Sequence, residues 1–381
     1  MFGTAAEINL DALKENFINI RNFLPERVKI AGVIKANAYG HDLRTIAKAL
    51  AAYGVDYIAV ANIREAVAVR RVLSEMPILV MGYTAPEDYD KAVKNAVTLT
   101  MFKLEDLRAL NLNASYDNTV MKVHIKYDTG FNRLGYKDEA TVISDIKQVL
   151  QLEWLSIEGI FTHLALKDAE SDAVQMKKFD ALLKHLKQEG IHIPIAHACD
   201  SIGAMIYPDA PYQMVRLGAA LYGYCSRPVP FKLRPVMSLK TSVSHLKWIE
   251  PGESVSYDGL YTANARTRIA TLPIGYADGL PRNLSKGGVV TIQDNVYPIV
   301  GLICMDQCMV DVTAAEAIEI GDTVELFGES ASLSEVAQLA GTNRNELLSR
   351  VAMRVPRHMI QDGEVIATVD YLLDEGDYGN C

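Results

Sequence analysis

Long apolar runs are missing from this chain. No stretch of its 381 residues reaches the roughly 18 consecutive apolar residues of a membrane-crossing helix, so no transmembrane segment is expected. Cysteine is scarce. Cys199, Cys225, Cys304, Cys308 and Cys381 are odd in number and scattered, which suits reduced thiols in the cytoplasm and argues against a disulfide framework. Cys304 and Cys308 lie four apart, but no second pair or histidine cluster completes a zinc site, so no metal is expected. Positive charge is also short. Lys and Arg number 38 against 47 Asp and Glu, a net charge of -9, and no dense basic tract stands out. That balance argues against sequence-independent binding of nucleic acid. The first sixteen residues carry Glu7, Asp11 and Glu15 and no basic n-region, so they are not read as a signal peptide.

Present instead is a regular alternation of β-branched runs and amphipathic helical stretches. The candidate strands are Val28–Ile34, Tyr57–Ala61, Pro77–Met81, Thr98–Phe102, Val120–Lys126, Ser156–Thr162, Ile193–His197 and Gln213–Leu217. Helical patterns lie between them, including Leu43–Tyr53, Arg64–Leu73, Glu87–Asn95, Glu139–Leu150 and Ala173–Glu189. Eight such units predict a (β/α)8 TIM-type barrel over residues 1–230. A doubly wound open sheet usually carries a Gly-rich first turn, and Lys35-Ala36-Asn37-Ala38-Tyr39-Gly40 is not one. The Pro-rich stretch Ser226-Arg227-Pro228-Val229-Pro230 reads as a linker. Residues 231–381 carry strand runs such as Met237–Leu246, Thr267–Leu272 and Thr323–Phe327, with a short helical unit at Ser332–Leu339 and Arg344–Val351. They predict a second, mainly β domain, with which a short N-terminal strand could pair.

In a barrel, chemistry sits at the C-terminal ends of the strands. The polar residues there are Lys35, Lys126 with Asp128, His163, Asp200 with Ser201, and Arg216. Lys35 is the most telling. A lysine at the mouth of a buried strand is either solvated or a nucleophile whose pKa desolvation lowers.

The motifs Ala6-Glu7-Ile8-Asn9-Leu10, Val33-Ile34-Lys35-Ala36-Asn37-Ala38-Tyr39-Gly40-His41, Lys126-Tyr127-Asp128-Thr129-Gly130-Phe131-Asn132-Arg133-Leu134-Gly135, Phe161-Thr162-His163, Val215-Arg216-Leu217-Gly218, Pro273-Ile274-Gly275-Tyr276-Ala277-Asp278-Gly279, Gly301-Leu302-Ile303-Cys304-Met305-Asp306-Gln307 and Arg354-Val355-Pro356-Arg357 follow one another over nearly the whole length. In this they resemble the alanine racemase family, the fold-type III enzymes that use pyridoxal 5'-phosphate. The resemblance implies an isomerase that interconverts L- and D-alanine and supplies D-amino acids for cell-wall precursors. It implies Lys35 as the Schiff-base lysine and one of two bases, and Tyr257, in Val255-Ser256-Tyr257-Asp258-Gly259, as the other. It places His163 beside that tyrosine, Arg216 on the pyridine nitrogen, and Tyr39, Ser201, Gly218 and Ala219 around the phosphate. It assigns the substrate carboxylate to Arg133 and the Met305 backbone, the active-site entrance to Tyr276, and a possible carbamylated lysine to Lys126. Because Tyr257, Tyr276 and Met305 act in the partner's site in this family, it implies a homodimer with shared active sites.

The chain departs from the family pattern at three places. Alanine racemases usually carry Asn-Tyr-Glu where this chain has Arg344-Asn345-Glu346. The smaller Asn345 removes a phosphate contact, makes room for a hydroxymethyl group and offers its hydroxyl a partner. With Gly279-Leu280-Pro281-Arg282-Asn283-Leu284-Ser285, it resembles the VanT serine/alanine racemases of vancomycin resistance, so serine is expected as a second substrate, or as the main one. VanT proteins carry a membrane domain that is not seen here, which leaves a free-standing relative and an excised domain both open. Asp200 stands where many relatives have asparagine, beside the expected phosphate site, and Leu302 replaces a basic residue. A related decarboxylase would expect a cysteine-bearing motif in the β domain, and a non-catalytic carrier would lack that domain.

Overall fold

The computed structural model describes residues 3–210 and 212–373. Cys381 and the polar tail read from the sequence lie outside the described residues. In chain order the first strands are β1 (Ala5–Asn9), β2 (Lys29–Val33), β3 (Tyr57–Val60), β4 (Ile78–Val80), β5 (Thr98–Met101), β6 (Met121–Lys126), β7 (Leu155–Phe161), β8 (Ile195–His197) and β9 (Met214–Leu217). Strands β2 to β9 pair in parallel in the order β9-β2-β3-β4-β5-β6-β7-β8. The ring is drawn together by Gln213 N donating to Ala196 O at 2.9 Å, by Arg216 N donating to Cys199 O at 3.0 Å, and by a parallel bridge between Asp200 and Arg216. This is the expected TIM-type barrel.

The barrel forms because its strands are apolar on both faces. Every residue of β3, β4, β5, β8 and β9 is buried. Such continuous runs suit parallel strands covered by helices. The covering helices are amphipathic: Leu43–Tyr53 buries Leu43, Ile46, Ala47 and Leu50. Ala169–Gln188 starts on a capping box in which Asp168 and Ser171 satisfy each other's backbone N–H groups. Two further helices, Leu10–Phe23 and Leu104–Tyr116, were not legible as periodic patterns.

Close contacts divide the chain into two compact units. Lys14–Ala38 with Leu43–Leu233 forms one; Tyr39–Asp42 and the chain from Arg234 onward, with the segment up to Leu13, form the other. The second unit holds a ten-stranded sheet in the order His245–Ile249, Thr267–Leu272, Cys308–Asp311, Asn295–Val300, Val289–Ile292, Thr323–Phe327, Met237–Ser242, β1, Arg357–Gln361, Glu364–Val369. Strand β1 runs antiparallel to Met237–Ser242 and parallel to Arg357–Gln361. The single run expected over Met237–Leu246 is two strands. Val243 N donates to Asp322 O, while Ser244 N donates to Thr271 O, so the backbone changes neighbours within one step. Among the described residues, no helix is long and apolar enough to cross a membrane.

Candidate active site

Lys35 lies two residues beyond the end of β2, half-buried at the strand's C-terminal side. The four residues after it, Ala36, Asn37, Ala38 and Tyr39, all have φ between 53 and 55°. A left-handed run of non-glycine residues costs about 1–2 kcal/mol per residue, so it persists only where its surroundings over-determine it. Here Glu65 does so: its carboxylate accepts from Ala36 N at 2.7 Å and from Ala61 N at 2.8 Å. Asn37 Oδ1 also accepts from Leu43 N at 2.8 Å, joining the turn to the next helix. Burial and then the Arg133 guanidinium lower the Lys35 pKa, against a smaller opposing pull from Glu65. The lysine is thereby shifted toward the free amine, the form that bonds to a carbonyl carbon.

The ends of β6 to β9 bring further groups to the same barrel mouth. Lys126 is buried at the end of β6 and donates to Tyr127 O at 3.0 Å. Burial, then Arg216, lowers its pKa to about 7, with Asp128 opposing. Burial would raise the Asp128 carboxyl, but hydrogen bonds from Lys137 and from the backbone of Asn132 and Gly130 outweigh it and hold it down. Arg133, in the loop after β6, is exposed and lies 4.5 Å over the Phe131 ring. His163 follows β7, with its ring 4.7 Å from that of Phe131. Burial and then Arg216 drive its pKa down to about 3, with Arg133, Lys126 and Lys35 adding to the effect, so it is neutral near pH 7.

Arg216 is buried on β9 and holds the mouth together. Its Nη2 donates to Ala198 O at 2.7 Å, to Thr162 O at 3.1 Å and to His163 Nδ1 at 3.2 Å, and its Nη1 donates to His197 Nδ1 at 2.7 Å. Ser201 starts the short helix after β8, and its Oγ accepts from Gly218 N at 2.8 Å and Ala220 N at 3.3 Å. Having accepted twice, the hydroxyl keeps its own proton to donate. Asp200 caps that helix: its Oδ1 accepts from Ile202 N and Gly203 N, both at 3.0 Å. The Asp200 carboxylate, a departure from the family pattern beside the expected phosphate site, is thus committed to backbone.

Tyr257, Tyr276, Met305 and Asn345 belong to the other unit, and the first three are open for their size: 66%, 43% and 53% exposed. Their loops are stitched into one patch. Ser256 Oγ donates to Leu302 O at 2.7 Å, Tyr276 N donates to Cys304 O at 3.1 Å, and Ala277 N donates to Met305 O at 3.0 Å. A Cβ at Gly275 would stand 2.3 Å from Met305 O, so only glycine permits this approach. Arg354 clasps both loops, from Nε to Asp278 at 2.8 Å and from Nη2 to Asp306 at 2.7 Å. Asn345 is exposed on the helix Arg344–Arg350, and Tyr39 is half-buried at the end of the left-handed run.

Both halves of the chain match known family models: "Alanine racemase, N-terminal domain" over residues 8–226 and "Alanine racemase, C-terminal domain" over residues 236–359. The chain belongs to the alanine racemase family. Its relatives include alanine racemase 2 of Caldanaerobacter subterraneus subsp. tengcongensis, 40% identical with 97% of this chain and 98% of that protein covered. The alanine racemase of Methanococcus maripaludis is 39% identical over 92% of this chain and 97% of its own length. Among solved structures, the alanine racemase of Clostridium difficile 630 superposes with a TM-score of 0.94 at 38% identity, covering 98% of this chain and 100% of that one. The Bacillus anthracis alanine racemase, solved with bound L-Ala-P, gives 0.91 at 34% identity, with 98% of each chain covered. Glu65, His197 and Arg354 were not singled out in the alanine racemase motifs. Arg354 stood at the edge of one, but what each residue touches depends on segments remote in sequence.

Proposed function

We propose that this chain racemises alanine by a two-base mechanism with pyridoxal 5'-phosphate, in a homodimer whose sites draw on both subunits. The observation that carries the reading is Lys35: an amine at the barrel mouth, lowered by burial and by Arg133, and held by a strained turn. The donor set fits the cofactor. Lys35, Lys126, Arg133 and Arg216 outnumber the nearby carboxylates, of which Asp128 is paired with Lys137 and Asp200 caps a helix. Such a mouth suits a phosphate and a substrate carboxylate together. Bound there, the cofactor supplies the sink that no side chain offers for the electron pair left at Cα.

The residues divide the remaining work. Ser201 donates its hydroxyl proton to the phosphate, joined by Tyr39 and the Ala219 backbone, while the Gly218 N–H expected there instead holds Ser201 Oγ in place. Arg216 donates and cannot accept, so it leaves the pyridine nitrogen unprotonated and limits how far charge spreads into the ring. A less delocalised charge favours prompt return of the proton over transamination. Lys35 takes or returns the proton on one face of Cα, and Tyr257 of the partner subunit does so on the other. A free phenol titrates near pH ~10 and needs help to act near neutrality. Because Arg216 donates to His163 Nδ1, the imidazole proton sits on Nε2, where it can donate to the phenolate oxygen. Arg133 and the partner's Met305 backbone hold the substrate carboxylate, and Tyr276 lines the entrance.

Asn345 supports serine as a second substrate, since its amide can meet a hydroxyl that the family's tyrosine would crowd. The reduced thiols and acidic charge suit the cytoplasm, where D-alanine would feed cell-wall precursors. The test is conversion of L- to D-alanine and L- to D-serine by the purified, cofactor-loaded protein, followed by chiral chromatography, with loss of the Cα proton in deuterated water. Lys35→Ala is expected to lower alanine racemisation by at least ~10³-fold; an unchanged rate would refute the assignment.

A further inference from the structure

A polar chain runs through the barrel interior from Arg216 away from the mouth. Arg216 Nη1 donates to His197 Nδ1 at 2.7 Å, His197 Nε2 lies 2.9 Å from His124 Nδ1, and His124 Nε2 lies 3.4 Å from Glu158 Oε2. Glu158 Oε1 meets Lys122 Nζ at 2.6 Å. Both histidines are fully buried. His124 Nε2 and Glu158 Oε2 are buried atoms with no hydrogen-bond partner among the described residues, and 3.4 Å separates them, so a small adjustment of either side chain would pair the two.

The chemistry of the two ends fixes the direction of every proton between them. A guanidinium has no acceptor, so His197 Nδ1 must be the accepting lone pair and its Nε2 must carry the hydrogen. His197 Nε2–H then donates to His124 Nδ1, and His124 carries its own hydrogen on Nε2, aimed at the carboxylate. Burial drives both imidazole pKa values down, which keeps them neutral and makes this tautomer assignment meaningful.

Local structure is adapted to this chain. The β6–β7 register passes from Val123 opposite Ile157 to His124 opposite Gly159, leaving Glu158 as the extra residue of a bulge. A bulge re-aims one side chain, here the carboxylate that reaches His124. A Cβ on Gly159 would stand 2.5 Å from the His124 ring, so the glycine makes the space that the imidazole fills. The Phe161 ring stacks on His197, with centroids 4.5 Å apart and planes 4° from parallel, and lies 5.4 Å from the Arg216 guanidinium. Apolar side chains would fill this volume without desolvating two imidazoles and a carboxylate, so packing alone does not account for the arrangement.

We propose that Glu158 is a positioning residue for Arg216: it offers a carboxylate to the Nε2–H that Arg216 imposes on His124 through His197, and so holds both imidazoles and the guanidinium that meets the cofactor's ring nitrogen. The last part rests on the proposed function; the tautomers do not. Glu158→Leu strands the His124 Nε2–H, whereas Glu158→Gln keeps an accepting oxygen of nearly the same shape and loses only the charge.

The test pairs two measurements. Nitrogen-15 NMR of the histidine rings in the cofactor-free protein should give Nε2–H for His124 and His197 in the native chain and in Glu158→Gln. In Glu158→Leu, the His124 Nε2–H should lose its acceptor, read as a shift of that resonance. In the loaded enzyme, Glu158→Leu should lower kcat for alanine about 10-fold or more, with KM little changed and a larger fraction of turnovers ending in transamination. Glu158→Gln should fall between it and the native enzyme. An unchanged His124 Nε2–H resonance in Glu158→Leu overturns the proposal, as does a shifted resonance with native kcat and product partition. If Glu158→Leu does not fold, Glu158→Gln and the exposed-end variant Lys122→Ala decide: native kcat and partition in both overturn it. A native chain that fails to racemise alanine would refute the proposed function while leaving the tautomer measurement to judge Glu158.

Discussion

Lys126 is a cation that the folded chain holds at a disadvantage. Its pKa is near 7 in the fold against an ordinary value of 10.5, through burial first and Arg216 second. Between those two values the unfolded chain binds a proton that the folded chain does not, so this residue makes stability rise with pH from about 7 to 10.5. Melting curves of the cofactor-free protein in carbonate-free buffer should therefore have a steeper pH slope in that window than those of Lys126→Met. Parallel slopes would contradict the assignment. The same lowered pKa leaves a large neutral fraction near pH 7, which is the form that carbamylation needs. Asn345 decides a different matter. It is exposed on a helix whose start is secured by Asn343 Oδ1 accepting from Glu346 N at 3.0 Å, so a larger side chain there need not disturb the fold. Asn345→Tyr is expected to lower the serine-to-alanine ratio of kcat/KM by about 10-fold, measured on both substrates. An unchanged ratio would remove Asn345 from the account of specificity.

The loop pair bearing Tyr276 and Met305 is tied by backbone hydrogen bonds and clasped by one arginine. Arg354 is about one-third exposed, so its ion pairs with Asp278 and Asp306 contribute no more than ~1 kcal/mol to stability. Its effect on loop geometry should be larger than its effect on folding. Arg354→Met is expected to lower kcat/KM for alanine several-fold while Tm falls by no more than about 4 °C. A large loss of Tm with native kinetics would make the arginine merely structural. The barrel strands were legible because runs such as Tyr57–Val60 are apolar at every position. Arg357–Gln361 was not. It places a charged residue at a buried position, where Arg357 is 1% exposed and its guanidinium donates to the carbonyls of Gly40, Val351 and Ala352. Val351 and Ala352 lie just before the strand and Gly40 far from it in sequence, and none is part of the strand, so periodicity along it gives no sign of them.

For the whole molecule, the open question is which subunit supplies Tyr257. A mixed dimer of Lys35→Ala and Tyr257→Phe chains contains one site with both native residues if Tyr257 is lent across the interface, and none if each chain serves its own site. Random mixing should then recover about a quarter of native activity from two inactive parents. No recovery, with mixed dimers verified by mass spectrometry, would place both residues in one chain. The alternation of apolar runs and amphipathic helices determined the barrel, because burial on both faces of a strand is written in consecutive residues. The ordered motifs likewise marked the family and singled out Lys35 as the candidate lysine. Only the tertiary structure decided the electrostatics: that Lys35 and Lys126 share a mouth with Arg133 and Arg216, that Glu65 holds the left-handed turn, and that Asp200 is committed to backbone. It also brought Arg216, His197, His124 and Glu158 into one row. Charge interactions and tautomers depend on distances of a few ångströms between residues far apart in the chain, and neither composition nor spacing encodes those distances.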